Sequence, residues 1–246
     1  MKYDFTSIID RQGKDSIAVD IIPFPDAKVQ EGFSKIPMWV ADMNYATVPT
    51  IQDAIIERTK HPAFGYFDPR EEYYERIIEW QNKRNGVEGL TKDAIGYENG
   101  VLGCVCAAAQ AFTAPGEAVL LHAPTYVGFT GALESNGRKI IHSDLVRDEE
   151  GIWRMDYEDM DTKLKQYPIH FAVLWSAHHH CGRVWIRDEI EKAMDVYARD
   201  NCVVISDAIW YDYTLEGHEH IQQQSLYEDS RNRTIAVYTH SQPFNL

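Results

Sequence analysis

Two hydrophobic periods alternate along the chain from residue 49 onward. Behind Pro49, positions Ile51, Ala54, Ile55 and Arg58 recur at helical spacing, with Thr47 or Thr50 as expected caps. Tyr73, Tyr74, Ile77, Ile78 and Trp80 predict a second helix over 71–84, stopped by Asn85-Gly86. Short apolar runs then predict strands at 95–97, 118–122, 139–143, 171–175, 202–206 and 234–238. Between them, small-residue or amphipathic stretches predict helices at 101–112, 127–136, 156–166 and 187–200. Residues 144–153 read as an acidic loop or hairpin, and 212–230 as a polar excursion. Residues 1–35 show little periodicity, carry Pro23 and Pro25, and read as an N-terminal arm. Strands alternating with helices predict an α/β fold over 36–246, a mostly parallel sheet with helices on both faces.

In such a sheet the carboxyl ends of the strands are where ligands sit. The buried run Phe171–Trp175 breaks into Ser176-Ala177-His178-His179-His180-Cys181-Gly182. The next strand ends at Asp207, and the last at Thr239-His240-Ser241-Gln242. These three ends predict one shared crevice. The Glu98-Asn99-Gly100 turn opens a helix, so free backbone N–H groups there could hold an anion. Asp42 lies within the apolar run Ile36–Met43, and burying it requires a partner, as hydrogen-bonded structure or as site lining. A metal reading also exists: His178, His179, His180, Cys181, Asp207 and His240 carry zinc-ligand chemistry. Extended backbone alternates direction, so at most two of the three consecutive histidines can converge. His218-Glu219-His220 reads as a separate surface pair.

Composition narrows the partners. The 246 residues are 44% hydrophobic and 25% charged, enough for a real core, and the net charge of −14 repels nucleic acid and anionic membranes. No apolar run approaches the roughly 20 residues that cross a bilayer. The opening MKYDFTSIIDRQG has no apolar signal region, and Cys104, Cys106, Cys181 and Cys202 form no zinc-spaced pairs. Reduced thiols in a cytoplasmic protein are the expectation.

Several stretches, in order, resemble one family: Trp39-Val40-Ala41-Asp42-Met43, Phe64-Gly65-Tyr66, Glu98-Asn99-Gly100-Val101-Leu102-Gly103, Ala123-Pro124-Thr125-Tyr126, Cys181-Gly182-Arg183-Val184-Trp185, Val204-Ile205-Ser206-Asp207 and Phe244-Asn245-Leu246. They are similar to the front part of MalY/PatB-type cystathionine β-lyases, C–S lyases among the aminotransferase class I/II-like, fold-type I enzymes that use pyridoxal phosphate. The resemblance implies a role for each matching residue. Asp207 would face the pyridine nitrogen and Tyr126 would stack on the ring. The backbone N–H groups of Val101 and Leu102 would hold the phosphate. Tyr66 would reach the phosphate of a neighbouring subunit, which implies a homodimer. Trp210 stands where the family has a side chain near the cofactor oxygen. The ligand class implied is a small amino-acid-like molecule.

The departures from the family pattern fall on the chemistry. The family's Ser-Lys-Thr-Phe-Asn reads Ser241-Gln242-Pro243-Phe244-Asn245, so Gln242 replaces the lysine that binds the cofactor covalently and moves the α-proton. An amide does neither. In the Ser-Pro-x-Asn-Pro-x-Gly loop, His179 replaces the asparagine that bonds the ring oxygen. Asp-Glu has become Asp207-Ala208. The final strand and small domain expected by resemblance, with their substrate-binding arginine, lie beyond Leu246. The expectation is a truncated large domain that binds pyridoxal phosphate non-covalently with impaired or absent lyase activity. The alternatives are the His/Cys metal site and a non-catalytic dimeric scaffold.

Overall fold

The computed structural model describes residues 3–21, 23, 28–34 and 36–246, so part of the stretch read as an arm lies outside the described residues. The chain forms two compact units, residues 1–67 with 240–246, and residues 68–239.

The first unit is mostly irregular. It holds a one-turn helix α1 (Ile17–Asp20) and α2 (Pro49–Thr59). Proline with its fixed φ takes the first helical position. The cap position therefore falls on Val48, between the two threonines expected there, and Thr47 Oγ1 is buried without a partner. The run 36–43 forms no strand, and Ile36 and Met38 are exposed. Asp42 is structural: its Oδ2 meets Arg11 Nη1 at 2.7 Å, and the same nitrogen donates to Met43 O at 2.9 Å. Asn245 Nδ2 donates to Tyr45 O at 2.7 Å and Met43 O at 3.3 Å, tying residues 240–246 into this unit.

The second unit follows the predicted alternation. Helix α3 (Glu71–Asn85) ends on Gly86 at φ 62°, a left-handed cap that glycine adopts without strain. Helix α4 (Gly100–Phe112) leads to β1 (Ala118–Ala123), α5 (Val127–Ser135) and β2 (Lys139–Asp144). A hairpin of β3 (Val146–Arg147) and β4 (Trp153–Arg154) precedes α6 (Tyr157–Gln166), which Asp156 caps through Asp159 N. Then come β5 (Phe171–Trp175), α7 (Arg187–Arg199), β6 (Val203–Asp207), α8 (Glu228–Arg233) and β7 (Thr234–Val237). The sheet is parallel throughout, in the order β2-β1-β5-β6-β7.

Alternation along the central strands sends side chains to two cores. Leu120, Ala172, Leu174 and Val204 pack with Met160, Leu164, Ile190 and Met194 beneath α6 and α7. Val119, Leu121, Val173, Trp175 and Ile205 pack with Val105, Ala109, Phe129 and Leu133 beneath α4 and α5. One expectation fails here. Ile95-Gly96-Tyr97 is not a strand; a 3-10 turn at Lys92–Ala94 precedes it, and three residues interrupted by glycine find no strand to pair with. The polar excursion 212–230 overlaps 3-10 turns at Tyr211–Tyr213 and Gln223–Ser225 and the start of α8.

Candidate functional site

Strand β6 runs one residue further than predicted, so Asp207 is its last residue and pairs with Trp175 at the end of β5. Paired residues on parallel strands face the same way. Both side chains therefore lie on the α4/α5 side of the sheet, above Val173 and Ile205. Asp207 is only 3% exposed. Ile209 N donates to its Oδ1 at 3.1 Å, and no cation among the described residues pairs with it. Burial pushes its carboxyl up to about 7, against the weaker opposing effect of that one hydrogen bond.

The loop after β5 packs its rings above this strand end. His178 is fully buried, stacks on Trp175 at 4.8 Å between ring centroids, and bridges its backbone to Arg183. Its Nδ1 lies 3.2 Å from Cys181 Sγ. His179 and His180 are exposed on the turn, with ring centroids 4.1 Å apart. Burial lowers the His178 imidazole to about 3, so it is neutral at pH 7. Among the described residues no three His, Cys, Asp or Glu side chains are grouped to hold a metal ion, and all four cysteines are unpaired. His220 is not a surface residue as expected; it is buried against Tyr211, and its Nε2 meets Gln222 Oε1 at 2.9 Å.

Tyr126 precedes α5 and is half-exposed. Its ring lies edge-on to Phe129 at 5.4 Å and stacks loosely with His180 at 6.0 Å. It also lies against the backbone of Gly128, where a Cβ would sit 2.3 Å from the ring. Val101 and Leu102 stand in the first turn of α4, whose leading N–H groups have no intrahelical acceptor, and Asn99 supplies no side-chain cap. Glu98 borders this turn, its Oε2 3.9 Å from the Cβ position of Gly103. Trp210 packs on Tyr213 at 5.4 Å.

The remaining predicted residues belong to the other unit. Tyr66 is fully exposed. Gln242 sits in a one-turn helix, α9 (Ser241–Phe244), where its Oε1 accepts from Ser241 Oγ at 2.7 Å. His240 stacks on Phe244 at 6.2 Å.

Two features escaped the sequence reading. Trp175, read only as the end of an apolar run, is 1% exposed, and its Nε1 has no hydrogen-bond partner. Ser176 Oγ and His178 Nε2 beside it are also buried and unpartnered. The second is the support of the loop. Glu189 takes bonds from Arg183 Nη2 at 2.7 and 2.6 Å, from Arg154 Nη1 at 2.7 Å and from Ile186 N at 3.0 Å. The Arg-Val-Trp motif after the loop signalled the arginine, but nothing marked its partner 6 residues on.

Residues 34–246 match the family model for aminotransferase class I and II. Cystathionine β-lyase PatB of Bacillus subtilis (strain 168) is 33% identical over 211 residues, covering 86% of this chain and 54% of PatB. Protein MalY of Escherichia coli (strain K12) is 26% identical, covering 99% of this chain and 60% of MalY. Among solved structures, cystalysin from Treponema denticola, which contains a pyridoxal 5'-phosphate cofactor, superposes with a TM-score of 0.91 at 29% identity, covering 100% of this chain and 61% of that one. A pyridoxal-phosphate-bound putative aminotransferase from Clostridium difficile 630 gives 0.89 at 29%, covering 99% and 61%. The chain thus spans 54% to 61% of the length of these relatives. With a family model that matches residues 34–246 and a relative 33% identical over 86% of its length, the chain belongs to the aminotransferase class I and II family.

Proposed function

We propose that this chain binds pyridoxal phosphate without a covalent link and does not carry out the C–S lyase reaction of its relatives. The observation that supports binding is Asp207. A buried carboxylate with one backbone hydrogen bond and no cation among the described residues is costly, and a protonated pyridine nitrogen supplies both a donor and a positive charge. The neighbouring groups suit the rest of the molecule. Tyr126 offers a ring held by Gly128 and Phe129, and the α4 start offers the N–H groups of Val101 and Leu102 for the phosphate. Trp210 stands three residues past the carboxylate. Tyr66, fully exposed, is suited to reach a site on a second copy, so the assembly we propose is a homodimer.

When bound, pyridoxal phosphate supplies an aldehyde and an electron-withdrawing ring for chemistry on amino acids. What this chain lacks is a group to use them. Gln242 has no amine for the covalent link and no basic nitrogen for the α-proton of an amino-acid ligand. Burial lowers the His178 imidazole to about 3, which makes it a weak base. The reading therefore separates binding from turnover.

A titration of the protein with pyridoxal phosphate, followed by absorbance, tests it, with borohydride treatment and mass spectrometry of the product. We expect saturable binding, no borohydride-fixed adduct and no pyruvate release from cystathionine. A flat titration into millimolar ligand would sink the binding half. Cofactor-dependent pyruvate release would sink the other. Light scattering that finds only monomer would remove the dimer and the role of Tyr66.

A further inference from the structure

Tyr126 has one ring face to offer a ligand. A Cβ on Gly128 would lie 2.3, 2.6 and 3.0 Å from three adjacent ring carbons of Tyr126, so the α5 backbone covers one face. Phe129 meets the ring edge-on at 5.4 Å. A face in contact with backbone cannot also hold a stacked ring. The open face is therefore the one on which His180 stacks, at 6.0 Å between centroids and 29° between planes.

From there His180 reaches the end of β5. Its ring stands edge-on to Trp175 at 6.2 Å and to His178 at 5.8 Å. Trp175 is in turn the register partner of Asp207. Stacked carbon atoms stand about 3.5–4 Å apart, so a flat ring held between two others needs roughly 7–8 Å. The 6.0 Å between Tyr126 and His180 is too little for one. A ligand ring that stacks on Tyr126 has to displace the imidazole first.

The loop is fixed at its base. His178 N donates to Arg183 O at 2.7 Å, Arg183 N donates to His178 O at 3.1 Å, and Arg183 pairs with Glu189. His180 lies on the exposed turn between those anchors. Clearing the Tyr126 face thus takes the rotation of one exposed side chain, with the loop base left in place.

We infer that His180 occupies the ring-binding face of Tyr126 in the ligand-free protein and competes with pyridoxal phosphate for it, so that this side chain sets how tightly the cofactor is held. The inference rests on the binding reading above. The Ser-Pro-x-Asn-Pro-x-Gly pattern has a proline where His180 stands, with no aromatic ring to stack, so the competition belongs to this chain's own loop.

The test is an absorbance titration of wild type, His180→Ala and His180→Phe with pyridoxal phosphate, together with the imidazole C–H signals of the protein in NMR spectra. His180→Ala should bind roughly 2- to 10-fold more tightly than wild type, the worth of one aromatic pair, because the competing ring is gone. His180→Phe keeps a ring in place and should bind no more tightly than wild type. In the wild type the His180 signal, identified by its loss in His180→Ala, should move as the ligand takes its place on Tyr126. His180→Ala affinity equal to or weaker than wild type overturns the inference, as does a His180 signal that stays still at saturation. If neither wild type nor His180→Ala binds, the binding reading itself fails. Binding by His180→Ala alone supports the competition and shows that the wild-type ring wins it.

Discussion

Two acids are buried in the same unit and are treated in opposite ways. Glu189 is 6% exposed and Asp207 3%. Glu189 receives two arginines and a backbone N–H, so both its oxygens are occupied. Asp207 receives one backbone N–H and, among the described residues, no cation, and its carboxyl is pushed up to about 7. Glu189 joins the β3–β4 hairpin, the end of the histidine loop and the start of α7, a task completed within the chain. Asp207 ends β6 at the carboxyl end of the sheet, and one backbone N–H is its bond among the described residues. The difference separates a carboxylate whose charge is compensated within the fold from one whose burial is left uncompensated there.

Breaking the finished pair should have the largest effect. Glu189→Ala leaves Arg154 and Arg183 around a vacated site, and we expect a loss of about 3 kcal/mol, discounted for the partial exposure of Arg154, read from denaturant unfolding. An unchanged unfolding midpoint would mean that Glu189 is no more structural than Asp207. Replacing the unfinished acid should do the reverse. Asp207→Ala should weaken pyridoxal phosphate binding on the order of 100-fold, about 2.7 kcal/mol, while stability in the absence of ligand at pH 8 stays level or rises. Loss of stability without loss of binding would place Asp207 in the same class as Glu189.

The pH dependence sharpens the contrast. A carboxyl raised from 3.8 to about 7 on folding binds its proton more tightly in the folded state, so its contribution to stability is lost as pH rises from about 4 to 7. The wild-type protein should therefore lose stability relative to Asp207→Asn across that window, by about 4 kcal/mol, and parallel curves would refute the shift. The buried imidazoles act in the opposite sense. His122 is lowered to about 4 and His178 to about 3, so stability present above 6.5 is lost as pH falls toward those values. The smallest expected effect is at Gly128. Its backbone accepts alanine, but the new Cβ would meet Tyr126, so Gly128→Ala should weaken ring binding by only a few-fold, measured by the same titration. Finally, Gln242→Lys should produce a borohydride-fixed adduct on residue 242 where the wild type gives none.

Much of this was legible in the residues because it rests on local pattern. Phe171–Trp175 is buried on both faces and reads as a continuous apolar run, and Gly86 marks the α3 stop. Asp207 was identifiable as a strand-end acid before any partner was known. The partnerships were not legible, because they are set by register. Trp175 reads as core, and its pairing with Asp207 puts the two side chains on one face of the sheet. Glu189 reads as an ordinary residue of an amphipathic helix until the loop brings Arg183 to it. Gly128 looks like a poor helix former until the Tyr126 ring is seen lying on it. Ile95-Gly96-Tyr97 misled for the converse reason: local β-propensity without a neighbouring strand makes no sheet.

The Asn245 clamp bears on the order in which the protein is made. Its bond to Tyr45 O joins positions 200 residues apart. During synthesis, at about 5–20 residues per second, Asn245 is translated about 10–40 s after Tyr45, whose carbonyl waits that long for this donor. Closing so long a loop comes late and slowly. For a nascent chain, the backbone around Tyr45 stays open to proteases and chaperones for that time.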